Sequence, residues 1–211
     1  MRRWIFLISL SLISTLVFGA VTAAAPSKSI VFLGDSLTAG YGLAEEQAYP
    51  ALIQKKIDDR HLGWKVVNAG VSGDTTADGL NRLRWVLRSK PSILVIALGA
   101  NDGLRGLSAQ SIKENLQKII DGARAADPHM KLVLVGMKMP PNFGARYAGE
   151  FEKVFPGLAA KNGTKLIPFL LEGVGGQREL NQPDLIHPNP AGHRIIADLV
   201  WRTLEPILRK S

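Results

Sequence analysis

Short β-branched runs alternate along this chain with stretches in which apolar residues recur every three or four positions. Ser29–Leu33, Lys65–Asn68, Ile93–Leu98, Leu132–Met137 and Lys165–Pro168 have the length and composition of strands. Tyr49–Arg60, Thr76–Ser89, Ser108–Ala126, Arg146–Lys161 and Pro190–Leu208 read as helices. In the third of these, Ile112, Leu116, Ile119, Ile120 and Ala123 share one face, a spacing that predicts core packing. The runs Ile93–Leu98 and Leu132–Val135 are apolar at every position. Strands of a parallel sheet read this way because both of their faces are covered. The alternation predicts one three-layer α/β/α domain over residues 29–208, with right-handed crossovers.

Met1–Ala25 stands apart from that alternation. Arg2 and Arg3 precede an apolar run from Trp4 to Phe18, and Val21-Thr-Ala-Ala-Ala25 closes it with small residues. This is the layout of a secretory signal peptide, with cleavage expected near residues 23–24. No charge occurs between Arg3 and Lys28, so an uncleaved membrane anchor is the competing reading. Either way the domain is expected outside the cytoplasm, in the periplasm or secreted.

The remaining length is enough for one well-buried domain. The chain has no cysteine, which rules out disulfides, a cysteine-linked lipid anchor and thiolate metal sites. It carries 26 basic and 18 acidic residues; without Arg2 and Arg3 the balance is 24 to 18. These cations are scattered rather than clustered, so nucleic-acid binding has no support, while transient contact with anionic membrane lipid is compatible with the excess. No His, Asp or Glu grouping has metal-ligand spacing, and neither a metal nor a cofactor is expected. A monomer is expected.

Ligands of a parallel α/β sheet gather beyond the carboxyl ends of its strands. Gly34-Asp-Ser-Leu37 follows the first strand, Ser72-Gly-Asp74 the second and Gly99-Ala-Asn-Asp102 the third. Ser36, at a strand-to-loop turn, is a candidate nucleophile. Gly73 can present a backbone N–H with no side chain in the way, and Asn101 offers an amide N–H; both suit an oxyanion. Far along the chain, Asp184-Leu-Ile-His187 places a carboxylate and an imidazole three residues apart between Pro183 and Pro188, with Asn189-Pro190 as cap and first residue of the last helix. In a tight loop His187 can take the Ser36 proton while Asp184 orients the ring. His193, on the last helix, reads as a surface or packing residue. The Gly-x-Ser-x-Gly elbow is missing, since Thr38 and Asp74 stand where it needs glycine, so an α/β-hydrolase is not expected.

Taken in order, the blocks around Ser36, Gly73, Asn101 and His187 resemble the SGNH (GDSL) hydrolase family. Asn101–Gly106, Met139–Gly144, Ile167–Phe169 and Asp184–Pro188 extend the likeness to the bacterial periplasmic thioesterase I/protease I/lysophospholipase L1 type, over roughly residues 29 to 208. The resemblance implies a flavodoxin-like sheet of five parallel strands and a serine esterase of broad acyl specificity. It implies an oxyanion hole formed by Ser36 N–H, Gly73 N–H and the Asn101 side chain. It also implies an acyl groove lined by Leu104 and Leu107, with Met139, Phe143 and Tyr147 opposite. Ala100 departs from the glycine common in this type, and its methyl is expected to narrow the approach or alter chain-length preference.

The expected reaction is hydrolysis of acyl esters and thioesters through an acyl-enzyme on Ser36, with aryl esters, acyl-CoA and lysophospholipids as candidate substrates. A carbohydrate O-acetylesterase is the alternative enzyme. An inactive lipid- or acyl-binding protein on a hydrolase scaffold is the alternative without catalysis.

Overall fold

The computed structural model describes residues 28–210, so the predicted leader lies outside the described residues. Five strands, β1 (Ser29–Gly34), β2 (Lys65–Gly70), β3 (Ile93–Ala97), β4 (Lys131–Val135) and β5 (Lys165–Ile167), form one sheet in the order β2-β1-β3-β4-β5. Every pairing is parallel. This is the flavodoxin-like order, whose switch point lies between β1 and β3. Both of those strands are buried along their whole length, as their unbroken apolar runs require. β2 is an edge strand and correspondingly half exposed.

The helices are α1 (Ser36–Ala39), α2 (Tyr49–Asp59), α3 (Thr76–Val86), α4 (Ala100–Leu104), α5 (Ala109–Ala126), α6 (Ala145–Glu152), α7 (Val154–Asn162) and α8 (Pro190–Arg209). α2 packs on α8 over one face of the sheet, and α3, α5 and α7 pack in sequence over the other. The expected face of α5 is buried as read: Ile112, Leu116, Ile119, Ile120 and Ala123 all lie in the core.

One reading needs correction and another is narrowed. The single helix expected over Arg146–Lys161 is two, broken at Lys153. Pro156 is the cause, because it has no N–H to give the Glu152 carbonyl and its ring crowds that oxygen. Of the two readings of His193, surface or packing, the structure selects packing. His193 is 1% exposed, accepts a hydrogen bond at Nδ1 from the Tyr49 N–H at 3.1 Å, and stacks on the Tyr49 ring.

Tyr49 opens α2, so its N–H is one that no helical carbonyl can reach. His193 satisfies it only while neutral at Nδ1. Burial, with the nearby His187 second, lowers the His193 pKa to about 4. The unfolded chain therefore binds a proton that the folded one refuses, and stability falls as pH drops from about 6.5 to 4. His193→Ala should cost about 1–3 kcal/mol by orphaning the Tyr49 N–H and should flatten this acid limb. Urea unfolding at pH 7.5 and pH 5 checks both effects.

Candidate active site

Gly34 ends β1 and cannot be another residue, because a Cβ there would collide with the Thr38 side chain. The chain then turns sharply into α1. Asp35 caps that turn, its Oδ1 accepting the Leu37 N–H at 3.0 Å. Ser36 follows as the first residue of α1 and is half-buried.

The loop after β2 closes through the Asp74 N–H to the Val71 carbonyl at 3.1 Å. Gly73 lies inside this turn at φ 88°, a conformation that strains a residue bearing a Cβ. The loop after β3 begins with Gly99 at φ 120°. Asn101 then sits in the first turn of α4. Its Nδ2 donates to the Asp74 carbonyl at 2.9 Å, which uses one amide hydrogen and leaves the second for a ligand. Asn101 is thereby fixed beside Gly73 without contact from the substrate. The Ala100 methyl packs on the hydrophobic core, and the left-handed strain falls on Gly99.

His187 comes from the far end of the chain. Asp184 Oδ1 accepts the N–H groups of Ile186 and His187 at 2.9 and 3.0 Å, and its Oδ2 lies 2.7 Å from His187 Nδ1. The His187 N–H is the largest cause lowering the Asp184 pKa to about 2, with the ring and the Ile186 N–H adding to it. An ionised carboxylate only accepts, so Nδ1 carries the imidazole proton. Nε2 is then an acceptor, and it stands 3.0 Å from Ser36 Oγ. Leu185 takes φ 58° to make so short a loop, a strained conformation for a branched side chain.

Tyr41 and Gln182, which the motifs do not include, hold the two halves together. The Gln182 N–H donates to the His187 carbonyl at 2.7 Å. Its Nε2 donates to the carbonyls of Tyr41 at 2.7 Å and Pro188 at 3.2 Å. The Tyr41 N–H donates to the Ser36 carbonyl, and its ring lies against His187 with centroids 4.6 Å apart. Asn189 caps α8 as expected, accepting the Ala191 and Gly192 N–H groups.

The proposed groove residues fall into one neighbourhood. Tyr147 Oη donates to the Leu107 carbonyl at 2.6 Å and its ring neighbours Phe143. Met139 packs against Gly103. Leu104 and Leu107 are both exposed.

Asp35 was also invisible as a special group. It is fully buried, and its Oδ2 has no hydrogen-bond partner. Burial raises its pKa to about 7 against the lowering pull of the Leu37 N–H, and the charges of Asp74 and Asp102 raise it further. Folded Asp35 therefore keeps a proton that the unfolded chain releases near pH 3.8. Its contribution to stability falls as pH rises from about 3.8 to 7. Asp35→Asn preserves the cap and removes the ionisation, so it should raise the urea midpoint clearly more at pH 8 than at pH 4.5. Equal shifts at the two values would refute a buried, proton-holding Asp35.

Known proteins resemble this chain in sequence and fold. Residues 32–195 match the GDSL-like lipase/acylhydrolase family. The esterase TesA of Pseudomonas aeruginosa is 42% identical over 189 residues, covering 89% of this chain and 93% of its own. Thioesterase 1/protease 1/lysophospholipase L1 of Escherichia coli K12 is 37% identical, over 88% of this chain and 87% of its own. The crystal structure of the psychrotrophic esterase EstA from Pseudoalteromonas, inhibited by monoethylphosphonate, superposes with a TM-score of 0.81 at 32% identity. That match covers 86% of this chain and 99% of EstA.

Proposed function

The chain belongs to the GDSL-like lipase/acylhydrolase family and is a carboxylic ester hydrolase; from that premise we propose that it works through an acyl-enzyme on Ser36, formed from both esters and thioesters. The observation that carries this reading is the unbroken chain from Asp184 Oδ2 through the His187 ring to Ser36 Oγ, with steps of 2.7 and 3.0 Å. Ser36 Oγ attacks the acyl carbon while its proton passes to His187 Nε2. Asp184 stabilises the resulting imidazolium. The oxyanion is met by the N–H groups of Ser36 and Gly73 and the free amide hydrogen of Asn101. His187 returns the proton to the leaving alcohol or thiol, then activates water to release the acid. Ser36→Ala should lower turnover of a p-nitrophenyl ester on the order of 10⁶-fold, as loss of the nucleophile does in a serine protease. Near wild-type turnover, or a phosphonate adduct on another residue, would sink the reading.

Exposed Leu104 and Leu107, with Tyr147 linking the Leu107 backbone to Phe143, favour medium or long acyl chains over acetyl groups, and so favour this reading over a carbohydrate O-acetylesterase. Octanoyl p-nitrophenyl ester should exceed acetyl ester in kcat/KM by about tenfold or more, since each buried methylene contributes roughly 0.8 kcal/mol. A preference for acetyl would reverse the assignment.

The surroundings also support a substrate drawn from lipid. Tyr41, Val71, Leu104, Leu107, Leu185 and Ile186 are six of the eight exposed large apolar side chains among the described residues. All six stand on the segments, helical or loop, that carry Ser36, Gly73, Asn101 and His187. Such clustering is the mark of an interaction surface. Lysophospholipid is thus a candidate substrate, with transient contact between this rim and a lipid aggregate. No helix among the described residues is long and apolar enough to cross a membrane. Export is proposed on the leader sequence alone.

A further inference from the structure

We propose that Arg82 is a positioning residue of the oxyanion hole, an inference that rests on the acyl-enzyme reading above. Arg82 lies on α3, well back from Ser36 in the sequence, yet one guanidinium grips two of the active loops at once. Nε donates to Asp74 Oδ2 at 2.6 Å, and Nη2 donates to the Gly34 carbonyl at 2.9 Å. The Gly34 carbonyl also accepts the Val71 N–H at 3.0 Å.

These bonds bracket the turn that carries Gly73. Its first residue, Val71, is tied to Gly34, and its last, Asp74, is tied to Arg82. The Asp74 carbonyl in turn receives the Asn101 amide. Gly34 lies two residues before Ser36. A single side chain therefore sets the spacing of all three oxyanion donors: directly for the Ser36 and Gly73 loops, and through Asp74 for Asn101. Arg105, which caps α4, adds a second tie between the Asn101 segment and this turn by donating to the Gly73 carbonyl at 2.9 Å, whereas Arg82 also reaches the Gly34 carbonyl.

The chemistry of the residue fits the task. The Arg82 and Asp74 side chains are only 19% and 12% exposed. An ion pair so withdrawn from water is a poor device for stability alone, because desolvation offsets much of its attraction. Its value lies in direction: the planar fork makes two bonds at a fixed angle, which a lysine ammonium cannot copy. Oxyanion donors act only within about 2.7–3.1 Å of the developing charge, and a displacement of roughly 1 Å is enough to cost about 10² in rate.

The test uses Arg82→Lys and Arg82→Gln in the whole chain, with Ser36→Ala as control and folding monitored by thermal unfolding. With a p-nitrophenyl ester, both Arg82 variants should lose about 10²-fold in kcat, with KM within about threefold of wild type, because the misplaced donors serve the transition state rather than the bound ester. Labelling of Ser36 by an organophosphonate, whose phosphoryl oxygen needs the same donors, should slow in parallel. Folded variants with kcat within threefold of wild type, or with the loss confined to KM, would overturn the proposal. Should a single variant fold poorly, Arg82→Gln with Asp74→Asn removes both charges. That double variant should fold and remain slow, whereas recovery of kcat would show that charge balance, not positioning, was at stake. An active Ser36→Ala enzyme would instead overturn the acyl-enzyme reading itself.

Discussion

Gly34 lies level with Gly70 on one side and Ala97 on the other, so β1, β2 and β3 stop along a single line. The parallel register produces that line, and the site depends on it. Ser36, Gly73 and Asn101 each follow it within a few residues, on neighbouring loops. Three residues widely spaced in the sequence become one surface because strands of equal direction end together. An antiparallel neighbour would send its loop to the opposite edge. The chemistry is thus a consequence of crossover topology before any side chain is considered.

The register alone brings the loops near; polar bonds with no role in the sheet fix their orientation. Asn101 and Arg82 both bond to Asp74, and Gln182 joins the Tyr41 and His187 segments. Two aspartates show how differently this site treats one residue type. Asp184 gathers the N–H groups of its own tight loop and the imidazole, and its pKa falls to about 2. Asp35 is walled off from water with other carboxylates near, and its pKa rises to about 7. The first is an anion that fixes the tautomer of His187; the second is a buried cap beside the nucleophile that holds its proton far above the usual carboxylate range. Divergent environments for like groups are how a protein assigns them separate work at one pH.

Most of the fold was legible because it is carried by periodicity. All five strands fall within two residues of their expected bounds, and the face of α5 was read from spacing alone. The break between α6 and α7 was missed because Lys153 stays in the helical region and the apolar rhythm runs on; Pro156 was the signal. The proposed nucleophile and donors, Ser36, Gly73 and Asn101, were legible because each sits in a short block at a strand end, and Asp184 and His187 because two prolines bracket them. Arg82, Gln182 and Tyr41 were not. Their partners at the site include backbone carbonyls far along the chain, and nothing in a sequence distinguishes an arginine reaching a carbonyl from one facing water. The partner of His193 was hidden for the same reason, since only the fold reveals that it meets the Tyr49 N–H.

This division bears on specificity. Every donor proposed for the oxyanion is anchored by the protein's own bonds, so little rearrangement remains when a substrate arrives. The proposed groove beside it is different: Leu104 and Leu107 are exposed, and their contacts to a chain would be non-directional. On the acyl-enzyme reading, recognition is then sharp at the carbonyl and loose along the acyl tail. A tail would contribute in proportion to the apolar area it buries. Tolerance of different acyl chains would follow from where the rigidity lies, and it would need no flexibility in the residues around the carbonyl.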